Sequence, residues 1–305
     1  MWISLFSLIC ISCSSTDKDK SVEVPIYREE FPELENINNE DFVPPRMVVY
    51  HPYRDHFAED PGLEKDSLSR ESLNRASPES LDRFQSSKDP IESLISECYK
   101  FHFDEAFKIA DNAYAKYKKH PSYWNQIGTC YLLKREYRKA LLFYNKALDL
   151  NPNYAPPINN LGLLFLRQGQ DQKALIAFKK ASELNTFSRT PKFNLAQLFL
   201  EYGLLDESLK LFTVLYELNR ADVGVLTGLA NCYLFLGNIP KSLSYFNLIA
   251  PTHYFRPDVS LNYAVALRLN GNNEKSKYVY DAIDKNELKE LSSYYITVGK
   301  FLGGT

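Results

Sequence analysis

The stretch from Pro121 to Pro152, PSYWNQIGTCYLLKREYRKALLFYNKALDLNP, decides the fold. With Pro121 as position 1, Trp124, Ile127, Gly128 and Tyr131 stand at positions 4, 7, 8 and 11, and Ala140, Tyr144 and Ala147 at 20, 24 and 27. Steps of three and four residues put the first set on one face of a helix and the second set on one face of another. Small residues at positions 8 and 20 let the two backbones approach, and large ones fill the remaining space. Pro152, at position 32, ends the second helix and begins a turn.

The pattern returns every 34 residues. One step on, the same positions hold Ile158, Leu161, Gly162, Phe165, Ala174, Phe178 and Ala181; the next step gives Lys192, Leu195, Ala196, Phe199, Ser208, Phe212 and Leu215. Two more give Leu226, Leu229, Ala230, Tyr233, Ser242, Phe246 and Ile249, then Ser260, Tyr263, Ala264, Leu267, Ser276, Tyr280 and Ile283. A register held over five units resembles the tetratricopeptide repeat (TPR) family, and residues 121–286 are read as five such repeats. The resemblance implies an all-α, right-handed superhelix of about six helix-turn-helix units.

Both ends of the array need covers, because a solenoid end exposes an apolar face. Before it, Ile91, Leu94, Ile95 and Cys98 form a helical stripe, and Ala106, Ala110 and Ala113 match positions 20, 24 and 27 counted back from Pro121. Residues 87–120 are thus expected to be a degenerate first hairpin whose turn is one residue short. Behind it, Leu288, Leu291, Tyr294, Tyr295, Val298 and Leu302 keep helical spacing, which predicts a C-terminal capping helix within residues 287–305.

The 305-residue chain is 45% hydrophobic with a formal net charge of −2, a balance that argues against nucleic acid as a partner. Residues 14–86 carry 17 acidic and 9 basic side chains and seven scattered prolines, and are expected to be a disordered acidic tether. As a coil this tether has an r.m.s. reach of roughly 45 Å. Short apolar islands within it, such as Met47 to Tyr50, could dock on the repeats. His51, Asp55 and His56 also fall there, where no preformed geometry would hold a metal ion.

Residues Trp2 to Ile11 form an apolar run of roughly ten residues, too short to span a bilayer, which needs about twenty. Followed by Ser12-Cys13-Ser14-Ser15, the run resembles a bacterial lipoprotein signal, although no Lys or Arg precedes it. That resemblance implies removal of the leading residues, lipid on Cys13, and a membrane-anchored protein of the bacterial envelope, at the outer membrane facing the periplasm.

No arrangement of His, Cys, Ser and carboxylates suggests catalysis, and neither a cofactor nor a small-molecule substrate is expected. Cys98, Cys130 and Cys232 lie near the ends of first helices. Cys130 and Cys232, three repeats apart, are separated by roughly 30 Å at about 10 Å per stacked hairpin, beyond disulfide reach. All three are read as small buried thiols.

In the TPR family, positions 2, 5, 6, 9, 12 and 13 line the concave groove. Here position 6 holds Gln126, Asn160, Asn194, Gly228 and Asn262, position 5 adds Asn125 and Asn159, and position 9 adds Gln197 and Asn231. Leu166, Phe193, Leu200, Leu234 and Phe235 add apolar surface, and Arg268 and Arg167 are the cationic candidates. A carboxamide both donates and accepts, so a row of them can hold a peptide backbone without reading its side chains. This resembles the asparagine ladder of peptide-binding TPR proteins; the same amides could equally bond between helices. The basic clamp of chaperone-tail receptors is missing. The layout as a whole resembles TPR lipoproteins that assist secretin assembly in type IV pilus machines, which implies a scaffold for protein or extended peptide partners. An adaptor for peptidoglycan hydrolases is the alternative.

Overall fold

The computed structural model describes residues 53–56, 78–86 and 88–303. The signal-like segment with Cys13, the remainder of the 14–86 leader, Met47 to Tyr50 and His51 lie outside the described residues. Within them all regular structure is helical. After α1 (Pro78–Gln85), helical hairpins follow one another: α2 (Pro90–Tyr99) with α3 (Phe103–Tyr117), α4 (Pro121–Leu133) with α5 (Tyr137–Leu150), α6 (Ala155–Arg167) with α7 (Asp171–Leu184), α8 (Thr190–Glu201) with α9 (Leu205–Leu218), α10 (Val223–Phe235) with α11 (Ile239–Phe246), and α12 (Pro257–Leu269) with α13 (Asn273–Asp281). Each first helix packs on the next first helix or on the intervening second helix, which makes a solenoid. Proline occupies the first turn of α2, α4, α6, α8 and α12, where its missing N–H has no helical partner to lose.

Inside each hairpin the close approach rests on position 8. A Cβ on Gly128 would lie 2.6 Å from the Tyr144 ring, and one on Gly162 would lie 2.5 Å from the Phe178 ring. Position 24 therefore fills the space that position 8 vacates, and Tyr144, Phe178, Phe212 and Phe246 are fully buried. Ser replaces Ala at position 20 in three hairpins: Ser208 donates to the Ala196 carbonyl at 2.8 Å and Ser276 to the Ala264 carbonyl at 2.7 Å, while the buried Ser242 hydroxyl has no hydrogen-bond partner among the described residues.

The turn between the paired helices is the same in all six hairpins. The N–H of His102, Glu136, Gln170, Leu204, Asn238 and Asn272 closes on the carbonyl five residues earlier, and the residue before each has positive φ. This is the helix-ending turn that favours glycine, and Gly169, Gly203, Gly237 and Gly271 supply it in the last four. In the first two, Phe101 (φ 62°) and Arg135 (φ 64°) take the same conformation, so the first hairpin's turn is of full length and not short. A left-handed residue with a Cβ costs about 1–2 kcal/mol, and glycine returns part of that as lost chain entropy. Replacing the exposed Arg135 with Gly is expected to stabilise the domain by about 0.5–1 kcal/mol, raising Tm by a few degrees; an unchanged or lower Tm in a calorimetric scan would contradict it.

The leader and the cysteines need correction. Residues 78–85 form α1, packed on α2, with Phe84 buried and the Ser96 hydroxyl donating to the Leu81 carbonyl at 2.6 Å. The N-terminal cover is thus this extra helix in front of the first hairpin. Cys98 and Cys130 are not separate thiols: they form a disulfide between α2 and α4, with Cα atoms 5.1 Å apart. Cys98 stands at position 12 of its unit and Cys130 at position 10. Two residues turn a helix by about 200°, so the two side chains leave opposite faces of successive first helices and meet between them. Cys232 remains a free, buried thiol, and burial pushes its pKa up to about 11.

At the other end, short 3-10 turns at Lys285–Glu287 and Lys289–Leu291 lead into α14 (Ser292–Phe301). Leu288, Leu291 and Val298 are buried against Leu261 and Ile283, and Tyr295 stacks on Tyr280 with ring centroids 4.5 Å apart.

Candidate peptide-binding groove

The first helices α4, α6 and α8 bring Asn125, Asn159, Asn160 and Asn194 onto one concave surface, each with no exposed area. They are joined in a row. Asn194 Nδ2 donates to Asn159 Oδ1 (2.8 Å), Asn159 Nδ2 to Asn160 Oδ1 (3.1 Å), and Asn160 Nδ2 to Asn125 Oδ1 (3.1 Å). Position 6 of one repeat thereby bonds to position 5 of the repeat before it, twice in succession. The bonds fix the orientation of every carboxamide in the row.

The remaining capacity of these amides is taken by a segment of the chain's own leader, Tyr53 to His56. Arg54 N–H donates to Asn194 Oδ1 (2.7 Å), and Arg54 carbonyl accepts from Asn194 Nδ2 (2.6 Å) and Asn159 Nδ2 (3.0 Å). Two residues on, His56 N–H donates to Asn160 Oδ1 (2.7 Å), and its carbonyl accepts from Asn160 Nδ2 (2.9 Å) and Asn125 Nδ2 (3.1 Å). Residues i and i+2 offering N–H and C=O to the same side is the alternation of an extended chain. The segment runs against the order of the repeats, with His56 over the earlier amides and Arg54 over the later ones.

Side chains are held too. The Arg54 guanidinium lies 3.3 Å from the centre of the Phe193 ring and its Nη2 is 3.0 Å from Asp222 Oδ1, both side chains largely buried. Tyr53 stacks on Phe178 at 5.8 Å, and His56 Nε2 is 3.4 Å from Ser188 Oγ. Arg54, Asp55 and His56 are each no more than 6% exposed.

A tetratricopeptide repeat profile matches residues 121–154, and a second profile of the same repeat matches residues 143–176. Residues 121–176 are tetratricopeptide repeats. Among solved structures, that of PilF from Pseudomonas aeruginosa superposes with a TM-score of 0.58 at 16% identity, over 73% of this chain and 98% of that one. PilW, a widely conserved type IV pilus biogenesis factor, gives 0.53 at 16% identity, over 68% of this chain and 96% of that one. The Cut9–Hcn1 tetramer of the APC/C gives 0.57 at 16% identity, over 73% of this chain but only 43% of that longer one. At these identities the likeness is one of fold. No curated protein matches the chain significantly.

The other amides of the TPR groove lie along the same first helices. Asn262 Nδ2 donates to Asn231 Oδ1 (3.1 Å) and its Oδ1 accepts from the Tyr294 hydroxyl (2.5 Å), so this pair ties α10 and α12 to the capping helix α14. Asn262 thus has a packing role at the C-terminal end of the array. Gln126 and Gln197 are buried; both polar atoms of the Gln197 carboxamide lack a hydrogen-bond partner among the described residues. Arg268, half-buried at the end of α12, is two repeats beyond Asn194.

Sequence reasoning passed over the occupant and its side-chain contacts Phe178, Ser188 and Asp222. One signal was available: Tyr50, His51, Tyr53, His56 and Phe57 concentrate rings in a leader otherwise rich in acid and proline. Asp222 reads as a helix cap, and it is one, accepting from Val225 N–H at 3.1 Å; the same carboxylate also takes the arginine.

The docked segment should respond to pH. Burial pushes the His56 imidazole down to about 3 from an ordinary value of 6.5, and its Nδ1 has no hydrogen-bond partner among the described residues. Docking thus favours the neutral ring. It is fully present above pH 6.5 and is lost as pH falls from 6.5 toward 3, by about tenfold per unit. Limited proteolysis between residues 50 and 60 at pH 7 and pH 5 checks this; a cleavage rate that does not rise at pH 5 would contradict it.

Proposed function

We propose that this protein is a non-enzymatic TPR scaffold that grips an extended segment of a protein partner in the amide-lined groove, at a bacterial envelope membrane to which lipid on Cys13 holds it. The observation that carries the reading is the backbone grip itself. Four carboxamides satisfy both N–H and C=O of two alternate residues, a service that depends on main-chain geometry and not on sequence. The Cys98–Cys130 bridge supports an oxidising compartment outside the cytosol. The fold likeness to PilF and PilW supports assembly of a pilus or secretin machine as the setting.

The test is affinity capture from envelope extracts, with wild type and an Asn160→Ala/Asn194→Ala variant compared. Recovery of a secretin subunit by wild type only supports the pilus setting, and recovery of peptidoglycan hydrolases instead would replace it with the adaptor role. Equal recovery by both proteins would overturn the groove reading. Separately, Cys13→Ala should move the protein to the soluble fraction and abolish fatty-acid labelling, while Cys10→Ala should not; a labelled, sedimenting Cys13→Ala protein would sink the anchor.

A further inference from the structure

We infer that the groove contains an arginine subsite, and that the partner it takes is a basic extended peptide with an aromatic residue directly before an arginine, for which Tyr53–His56 is a built-in competitor. The inference rests on the groove being a peptide site and adds which peptides it selects.

The backbone row alone would accept many sequences, but the two side chains at its later end are held by chemistry that would not. The Phe193 ring face and the Asp222 carboxylate form a two-sided pocket: one wall attracts a flat cation through the ring quadrupole, and the other accepts its N–H. Asp222 is 13% exposed and fixed by the Val225 N–H, so its charge is both desolvated and aimed. A neutral side chain there would forgo the ion pair with that largely desolvated carboxylate, which disfavours non-basic peptides. A lysine would meet the charge but not the planar stack.

The neighbouring subsite continues the theme. Tyr53 stacks on Phe178 and feels two acidic residues, Glu201 and Asp171, the latter accepting from the Tyr202 hydroxyl. Burial first, then Glu201, keep the Tyr53 hydroxyl protonated well beyond its ordinary range. An aromatic residue with a hydroxyl or a bare edge fits this end; an acidic one is repelled. The segment already seated fulfils each requirement, and 21 residues of sequence separate His56 from α1, enough chain to let it leave and return.

The experiment uses the full chain and a fluorescein-labelled peptide spanning Tyr50 to Glu59. The groove is emptied by Tyr53→Ala/Arg54→Ala/His56→Ala. Anisotropy titration is expected to show the parent peptide binding the emptied protein at least tenfold more tightly than wild type. A peptide with Ala for Arg54 should bind 10- to 100-fold more weakly, and one with Lys should fall between. Adding Asp222→Asn, which keeps a capping oxygen for α10, should remove most of the difference between the Arg and Ala peptides; circular dichroism verifies that the helices persist. Equal binding of the Arg and Ala peptides would overturn the subsite while leaving the backbone grip intact. Equal binding to wild type and the emptied protein would overturn the competitor. If neither peptide binds the emptied protein, or if Asn160→Ala/Asn194→Ala in that background leaves affinity unchanged, the groove reading itself fails and the subsite with it.

Discussion

Changing Asn160 and Asn194 together to Ala is expected to shift the docking equilibrium of Tyr53 to His56 toward release by about 30- to 1,000-fold. The two residues make four of the bonds to the segment, two to Arg54 and two to His56. At about 0.5–1.5 kcal/mol net each, the loss is roughly 2–4 kcal/mol once Asn125 and Asn159 retain their share. A segment that stayed in place would leave two buried N–H groups unpaired, which favours departure over accommodation. The same amides also bond between helices, Asn160 to Asn125 and Asn194 to Asn159, so Tm should fall as well. The two effects separate in measurement: proteolysis within residues 50–60 should accelerate by the full factor at a temperature where circular dichroism still reports folded helices. A lowered Tm with no faster cleavage would assign these amides to packing alone.

Reducing the Cys98–Cys130 bridge, or replacing both residues with Ser, should cost the domain about 3–4 kcal/mol, because the bridge closes 32 residues of chain in the unfolded state. The bond joins α2 to α4 and so fastens the first hairpin to the array. Loss is expected to fall on that end: α1 to α3 should exchange their amides fastest, with Ala106 and Ala110 losing protection before Phe178 or Phe212. Denaturant melts with and without reductant measure the first effect and hydrogen exchange the second. A midpoint insensitive to reductant would mean that the thiols are not bridged in solution.

What was legible in the sequence is what repeats. Gly128 facing Tyr144 and Gly162 facing Phe178 recur every 34 residues because each hairpin solves the same steric problem, and Ser208 reads as an Ala equivalent because its hydroxyl finds the Ala196 carbonyl. The asparagines at positions 5 and 6 recur for a similar reason, each repeat bonding to the one before. What occupies them does not repeat. Arg54 and Asn194 are 140 residues apart and no period connects them. Asn262 looks like its counterparts, yet its Oδ1 accepts from Tyr294, a residue of the cap rather than of any repeat. Helix α1 was hidden because Leu81 and Phe84 are its main apolar anchors, too few to mark a stripe, although Ser77-Pro78-Glu79 before them reads as a helix start. The bridge escaped because Cys98 and Cys130 differ in position by two, an offset that shows as facing side chains only once successive first helices stand side by side.

The central claim is that the concave amides hold the chain's own backbone at Arg54 and His56. Amide hydrogen exchange resolved at those two residues, in the wild-type full chain at pH 7, tests it most directly. The structure predicts that both N–H groups exchange at least 100-fold more slowly than an unstructured chain of the same sequence, and that Asn160→Ala/Asn194→Ala abolishes the protection. Exchange of Arg54 and His56 at the unstructured rate in the wild-type protein would contradict the account.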